Sequence, residues 1–463
     1  MWIRELAGVK ILIIGAGQLG YHTAEKLARE HNDVTIIEKD ETRSRYLLEH
    51  LDVQVVTGSG SSPDVLKAAG VEDADFLVAV TDSDEVNMVA CLIAAAQAKT
   101  PRKIARIRNS ELLNHSRVFG HDFLNVDYSI NPEDEVVAEI EKLLKIPGST
   151  DIANFCRSQV SVVGFRIPEG SPVVGPTLSE LWQNGTTKSK LLLAAIERDQ
   201  KTIVPDGTDR LREGDIAFVV HPSEQLADIY SVLGLQERPV KLVMISGATR
   251  IGVELARRLQ ADKNLTVKLV DPDRAKCTVL AEQLDRTLVL CADPHNEDIL
   301  KEENIDSCDA FIACGDEDDT NVLVSLLARG LGARRVITMV NQVRYVSLVQ
   351  AVGEHVALCP KLIAVSQIVQ FIRRGKVVSL ATFGDEEAEA MEVVALDGSK
   401  LVNTPLNQLD LPKGVIVGAV MSRDQMFIPN GTTIINAGDR IVFFVQSAAR
   451  TKLEKLLVKT ERL

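Results

Sequence analysis

No two cysteines are spaced as CxxC: the seven stand apart at positions 91, 156, 277, 291, 308, 314 and 359. A zinc site or thiol-redox motif is therefore not expected, and an odd, scattered count suits free thiols in a reducing cytosol. No apolar run is long enough to cross a bilayer. The longest, near residues 88–96, falls far short of the roughly 20 residues a helical span needs. Residues 1–10 carry Glu5 and lack a long apolar core, so they do not read as a signal peptide. Positive charge is not in excess either. With 52 Lys and Arg against 65 Asp and Glu, the formal net charge is −13. That argues against a nucleic-acid partner and against direct adsorption to an anionic membrane. The 8 histidines fall in no HxxH or HExxH spacing, and no serine has the glycine flanks of a nucleophile elbow. Neither a catalytic group nor a metal set is assigned. The remaining composition, 45% hydrophobic and 25% charged over 463 residues, suits roughly two to four well-cored globular domains.

What is present is concentrated first in residues 10–40, KILIIGAGQLGYHTAEKLAREHNDVTIIEKD. A branched apolar run predicts a buried strand over 11–14, a helical pattern follows from 19 to about 30, and a second strand over 34–37 ends at Glu38. Between strand and helix stands Gly15-Ala16-Gly17-Gln18-Leu19-Gly20. Gly15 suits the tight turn, Gly17 lets backbone N–H groups approach a pyrophosphate, and Gly20 lets the helix pack close to the strand. Glu38 stands where a carboxylate accepts both ribose hydroxyls, and an acid there favours a free 2′-hydroxyl over a 2′-phosphate. A glycine turn that merely packs a helix on a sheet leaves Glu38 unexplained. The motif therefore predicts a dinucleotide or adenine-nucleotide site.

The strand–helix rhythm continues. Strands are expected over 53–56, 75–80, 103–107 and 127–130, with helices over 43–51, 63–70 and 85–99 and another from Pro132 to about 144. This is a doubly wound parallel sheet, whose ligands sit beyond the C-terminal strand ends; Gly58, Thr81, Asp82 and Arg106 fall on that edge. From 159 to about 235 the texture changes to short strands, turn prolines and one helix over 223–233, a small α+β lobe.

At Lys241 the first pattern restarts. KLVMISGATRIGVELARRL matches KILIIGAGQLGYHTAEKL, with Gly247 for Gly15, Gly252 for Gly20 and Asp271 for Glu38. GDEDDTN at 315–321 matches TDSDEVN at 81–87, Cys359-Pro360 matches Asn131-Pro132, and FIPNGT at 427–432 matches IVPDGT at 203–208. A period this long signals duplication of a two-domain unit. The expected fold class is thus α/β: two Rossmann-like doubly wound parallel-sheet domains, each followed by a small α+β domain. The expected boundaries are 9–130, 131–150 (crossover helix and linker), 151–235, 240–358, 359–376 (the second crossover) and 377–457. The halves differ chemically. Thr249 replaces Gly17, which restricts approach to a phosphate, and Thr338 replaces Arg106; Arg250 inside the second loop is a possible compensating cation. The first half is expected to bind nucleotide tightly, and the second to bind more weakly or to prefer another nucleotide.

Several residues have two readings. Thr81 and Asp82 suit ribose or nicotinamide contact, and equally suit capping of the next helix. Arg106 suits a phosphate, because a guanidinium at a strand edge matches it, or else is a solvated charge. Asp64 reads as a first-turn acid favoured by the helix dipole. The acids at 316–319 suit a divalent cation or a solvated helix start. The stripe Val136, Val137, Ile140, Leu143 and Leu144 is core or interface. A dehydrogenase needs a substrate lobe that brings an acid or base to the nicotinamide. The small lobe offers Glu197, Asp199, Asp206 and Asp215, mostly beside turns, where turn chemistry explains them. The expectation is a non-enzyme whose nucleotide is an effector; the alternative is an NAD-dependent oxidoreductase.

The halves, their order and their loops resemble the TrkA family, the cytosolic regulatory subunits of Trk potassium-uptake systems. Each half is similar to an RCK (KTN) nucleotide lobe followed by a TrkA-C lobe, from about residue 9 to 457. The resemblance implies nucleotide contacts at Gly15, Ala16, Gly17, Gln18 and Leu19, with Glu38, Thr81, Asp82 and Arg106. In the second half it implies Gly247, Ala248, Thr249, Arg250 and Ile251, with Asp271. It also implies NAD(H), ADP and ATP as ligands, and a homotetramer whose nucleotide lobes form a ring under a membrane potassium-channel subunit of Trk type. The protein would then be cytoplasmic, peripheral on the inner membrane through that partner.

Overall fold

The computed structural model describes residues 8–97, 101–109, 126–183, 191–199, 201–223, 226–236, 238–352, 356–373, 379–383, 388–423 and 425–457. The chain divides into two compact units, each built from like parts of the two halves. One contains Met1–Ile140 and Lys241–Ile372, the other Glu141–Val240 and Arg373–Leu463.

In the first unit, branched apolar runs form β1 (Lys10–Ile14), β2 (Asp33–Glu38), β3 (Gln54–Thr57), β4 (Phe76–Ala79), β5 (Arg102–Arg106) and β6 (Tyr128–Ile130). They make one parallel sheet in the order β3-β2-β1-β4-β5-β6. The strand order reverses between β1 and β4, which opens a crevice above β1. Side chains alternate across the sheet. Ile11, Ile13, Val34, Ile36, Val78 and Ile104 share one core with Ala24 and Leu27 of the helix Gln18–Arg29. Leu12, Ile14, Ile37, Leu77 and Ala105 face Leu66, Ala90, Cys91 and Ala94 on the other side. The expected helix end at residue 99 and the linker tail at 374–376 lie outside the described residues.

The chain passes through the second unit before it returns to complete the first. In the second unit, β7 (Ser149–Phe155), β8 (Val160–Arg166), β9 (Leu192–Arg198), β10 (Lys201–Ile203) and β11 (Ile216–Pro222) form an antiparallel sheet, β10-β9-β11-β8-β7. Back in the first unit, β12 (Leu242–Ser246), β13 (Thr266–Asp271), β14 (Thr287–Cys291), β15 (Ala310–Ala313), β16 (Val336–Met339) and β17 (Val356–Leu358) repeat the parallel order as β14-β13-β12-β15-β16-β17. In the second unit again, β18 (Ser379–Phe383), β19 (Ala388–Val394), β20 (Val415–Ser422), β21 (Gln425–Phe427) and β22 (Arg440–Gln446) repeat the antiparallel one as β18-β19-β22-β20-β21. The duplication read from sequence is thus repeated strand for strand.

Like lobes are fused by shared cores. Val160, Val162, Ala195 and Phe218 of one small lobe pack with Phe383, Ala419 and Phe444 of the other. Phe218 and Phe383 meet edge to face at 5.0 Å. In the first unit, the helix Pro360–Arg373, which follows the second sheet in sequence, places Ala364, Val365, Ile368, Val369, Phe371 and Ile372 in the core of the first sheet. Its counterpart, the helix Pro132–Lys145, meets the second lobe through Glu133–Arg250 at 2.9 Å and Asp134–Arg258 at 3.8 Å. The crossover helices are exchanged. Val136, Val137, Ile140, Leu143 and Leu144 are all buried within the chain, so the stripe is core.

Candidate functional site

The first glycine loop leaves β1 at the crevice. Gly15 N–H donates to the Ile37 carbonyl at 2.9 Å, Ala16 N–H to Glu38 Oε2 at 2.7 Å, and Asp40 N–H to Glu38 Oε1 at 3.0 Å. The Glu38 carboxylate, 4% exposed, therefore clamps the loop to the end of β2. This corrects the sequence argument that a purely structural turn leaves Glu38 unexplained: the acid has a structural partner on each oxygen. A carboxylate has about four acceptor sites, so the same oxygens retain capacity for ribose hydroxyls.

The glycines separate into two kinds. Gly15 has φ +94°, and a Cβ there would meet Thr81 Cγ2 at 2.9 Å; a Cβ on Gly20 would lie 1.9 Å from the Gly15 carbonyl oxygen. Both are required by the fold itself. A Cβ on Gly17 would meet nothing within 4 Å among the described residues. Its φ is −61°, which any residue adopts, and it N-caps the helix Gln18–Arg29 without a side-chain cap. The open space is thus beside a helix start whose amide donors suit an anion. Ala16 and Leu19 are 4% exposed and belong to the core, so only their backbone faces the crevice. Gln18 Oε1 accepts from Lys361 Nζ, which also donates to the Asn341 carbonyl at 2.8 Å.

The other expected residues fall around the same edge. Gly58, just past β3, donates its N–H to the Glu38 carbonyl at 2.9 Å. Arg106, the last residue of β5, binds Asp82 Oδ1 through Nη1 at 2.9 Å; its side chain is 17% exposed and that of Asp82 91%. Arg106 Nε is buried with no hydrogen-bond partner among the described residues, an orphaned donor on a cation at the crevice. Thr81 Oγ1 donates to Asn87 Oδ1 at 2.7 Å and accepts from Ser83 N–H at 3.3 Å, and Ser83 Oγ accepts from Val86 N–H at 3.2 Å. Thr81 thus braces the serine that caps the next helix.

Two residues were missed by the sequence reading. Asn87 is fully buried and joins two strand ends. It accepts from Thr81 N–H at 2.9 Å and donates to the Thr81 and Arg106 carbonyls at 3.2 and 2.9 Å. Asp84 Oδ2 accepts from the N–H groups of Arg108 and Asn109, both at 2.9 Å. Their signal was the recurrence of each residue type at 321 and 318.

The second loop keeps the frame. Gly247 N–H donates to the Val270 carbonyl at 2.9 Å and Ala248 N–H to Asp271 Oδ2 at 2.6 Å. A Cβ on Gly247 would lie 2.7 Å from Gly315 N, and one on Gly252 would lie 2.1 Å from the Gly247 carbonyl oxygen. Asn321 repeats the clasp of Asn87, bonding Gly315 and Met339. Asp318, 7% exposed, accepts from Asn341 and Gln342 N–H at 2.6 and 3.0 Å. Within the acidic run at 316–319 this carboxylate is a loop anchor, not a solvated charge.

What the second loop lacks is the open position. Thr249 Oγ1 accepts from Gly252 N–H at 3.3 Å and donates to the Cys314 carbonyl at 2.8 Å, capping the helix Arg250–Leu259 from within. Thr338 is buried and donates to Ser325 Oγ at 2.7 Å. Arg250 is engaged by Glu133 and by the Arg108 carbonyl. A cavity of about 450 Å³ lies beside this loop, lined by Ala248, Thr249, Arg250, Ile251, Glu133 and Arg258 among others.

Comparison with known proteins agrees over nearly the whole chain. The TrkA-N domain family matches residues 11–132 and 243–360, and the TrkA-C domain family matches 162–234 and 390–458. The Trk system potassium uptake protein TrkA of Halomonas elongata is 36% identical over 447 residues, covering 96% of this chain and 97% of that one. TrkA of Vibrio alginolyticus is 37% identical over 441 residues, covering 94% and 96%. Among solved structures, the GsuK channel aligns with a TM-score of 0.62 at 17% identity, over 98% of this chain and 79% of that one. The GsuK channel bound to NAD aligns at 0.60 and 18%, with the same coverage. At such identity these structures speak for the fold. On full-length sequence relatedness and paired domain matches, the chain belongs to the TrkA family.

Proposed function

We propose that the chain is the nucleotide-binding regulatory subunit of a Trk-type potassium-uptake system, in which occupancy of the first glycine loop by NAD(H), ADP or ATP changes the state of a membrane channel subunit. Its relatives are named for potassium uptake. The observation that carries the nucleotide reading is Gly17: of the loop's three glycines, it alone has no internal steric reason to lack a side chain. The backbone from Gly15 to Gly20 would hold the pyrophosphate, with Arg106 as its cation and Gly58, Thr81 and Asp82 on the flanks. Glu38 would accept from the ribose while keeping its hold on the loop.

The second loop, from Gly247 to Ile251 with Asp271, would bind more weakly, because Thr249 occupies the phosphate approach and its hydroxyl already caps the helix. The nucleotide acts by linkage: it shifts an equilibrium only by the difference in its affinity for two states. A preference of roughly 20-fold supplies about 1.8 kcal/mol per site, and several coupled sites then span a switch. The working assembly is a homotetramer seated on the cytoplasmic side of the membrane through its channel partner. No helix among the described residues is long and apolar enough to cross a membrane.

Titration calorimetry of the purified full chain with NADH, ADP and ATP tests the first step, and co-purification with a Trk-type channel subunit, followed by nucleotide-dependent potassium flux, tests the second. Heat from at least one nucleotide is expected, with the tighter of the two sites weakened in Gly17→Thr. A chain that ignores all three nucleotides overturns the reading.

A further inference from the structure

The fold brings together two thiols, Cys277 and Cys291, that the sequence keeps apart. Cys291 ends β14, the outer strand of the second parallel sheet, and its ladder partner is Asp271. Cys277 lies in the helix Arg274–Gln283, and its Sγ reaches the Asp271 carbonyl at 3.3 Å and that of Leu290 at 3.8 Å. Both carbonyls adjoin Cys291: Asp271 is its ladder partner and Leu290 precedes it on β14, so the two cysteines are spatial neighbours. Of the seven cysteines only Cys291 is exposed, and Cys277 is buried.

We infer that Cys277 and Cys291 form an oxidisable dithiol that closes into an intrachain disulfide when the protein meets a hydroperoxide. Cys291 is the group a small oxidant reaches. Its thiolate attacks the peroxide O–O bond, becoming a sulfenic acid and releasing water once the departing oxide is protonated. The Cys277 sulfur then attacks the Cys291 sulfur: the S–S bond forms, the S–O bond breaks, and hydroxide leaves with the Cys277 proton as a second water. Two thiols lose two electrons, and one hydrogen peroxide becomes two waters.

The order of attack follows from environment. Burial, then the neighbouring Cys291 and Asp271, push the Cys277 thiol up to about 11, so it resolves rather than initiates. Cys91, Cys156, Cys308, Cys314 and Cys359 are all buried, which keeps them from the oxidant. The new bond would lie behind Asp271, whose carboxylate holds Ala248 N–H in the second glycine loop.

The test treats the folded full-length chain with hydrogen peroxide, alkylates the remaining thiols and maps the peptides by mass spectrometry. The expected result is simultaneous loss of alkylation at Cys277 and Cys291, a linked peptide pair from the same chain, and full recovery with dithiothreitol. In Cys277→Ser, Cys291 loses its resolving partner and should accumulate sulfinic acid at least tenfold more than in wild type. Cys277 still fully alkylated after Cys291 is oxidised, or Cys291 linked only to Cys291 of a second chain, overturns the inference. The wild-type measurement is decisive even if the variant fails to fold.

Discussion

Phe371 stacks on Tyr128 with ring centroids 4.9 Å apart and planes 13° from parallel. The first residue belongs to the second half of the sequence and the second to the first half, and Arg102 lies over the Phe371 ring at 4.4 Å. Phe371 is 6% exposed. Truncating a buried phenylalanine costs about 3–5 kcal/mol, so Phe371→Ala should lower the thermal midpoint of the chain by several degrees. The exchange also predicts that residues 1–240 and 241–463, produced separately, aggregate alone and co-purify when produced together. Scanning calorimetry and a pull-down of one half with the other check both.

The proposed difference between the two loops predicts that single substitutions shift each toward the other. Gly17→Thr should weaken nucleotide binding at the first site at least tenfold, because a β-branched side chain then fills the approach. Thr249→Gly should strengthen the second site while costing only a few tenths of a kcal/mol in helix capping. Isothermal titration with ADP measures both. Unchanged affinity in Gly17→Thr would show that the open space is not used.

Arg106→Gln removes the cation and the orphaned Nε donor but leaves a side chain of similar length. Charge-assisted hydrogen bonds contribute about 1.5–3 kcal/mol, so ADP affinity should fall roughly ten- to hundredfold. The thermal midpoint should barely move, since the partner Asp82 is almost fully solvated.

A pH response is expected from the small lobes. His221 is buried on β11, and burial holds its imidazole below the ordinary 6.5, partly offset by the contact with the Pro222 carbonyl. The unfolded chain therefore takes up a proton before the folded one does. Stability from this group is complete above pH about 6.5 and is lost as the pH falls through the lower folded value, at no more than about 1.4 kcal/mol per pH unit. Urea denaturation of the full chain between pH 8 and 5 should show this slope, and His221→Gln should flatten it.

The strands, the loop and the duplication were legible in sequence because their signals are local. Branched runs, glycines at turns and an acid at a strand end carry their meaning within a few residues. The exchange of crossover helices was not legible. The stripe on residues 136–144 states that one face is buried, and Val136 would look the same against either sheet. Glu38 was read as a ligand contact because a motif records position, while its bond to Ala16 N–H appears only once the loop has folded. Asn87 and Asn321 stood at matching places in both halves, but a buried amide that joins two strand ends has no local pattern. The closeness of Cys277 and Cys291 depends on a helix folding back over an edge strand, which spacing along the chain does not encode.

Lys361 is numbered with the second half and rests on Gln18 of the first. A small displacement of the later lobe would thus reach the earlier loop as a moved ammonium group. For the same reason the copies are no longer interchangeable. A half transplanted from a relative would bring a helix shaped for someone else's sheet, so the doubled unit is expected to work only as a matched pair.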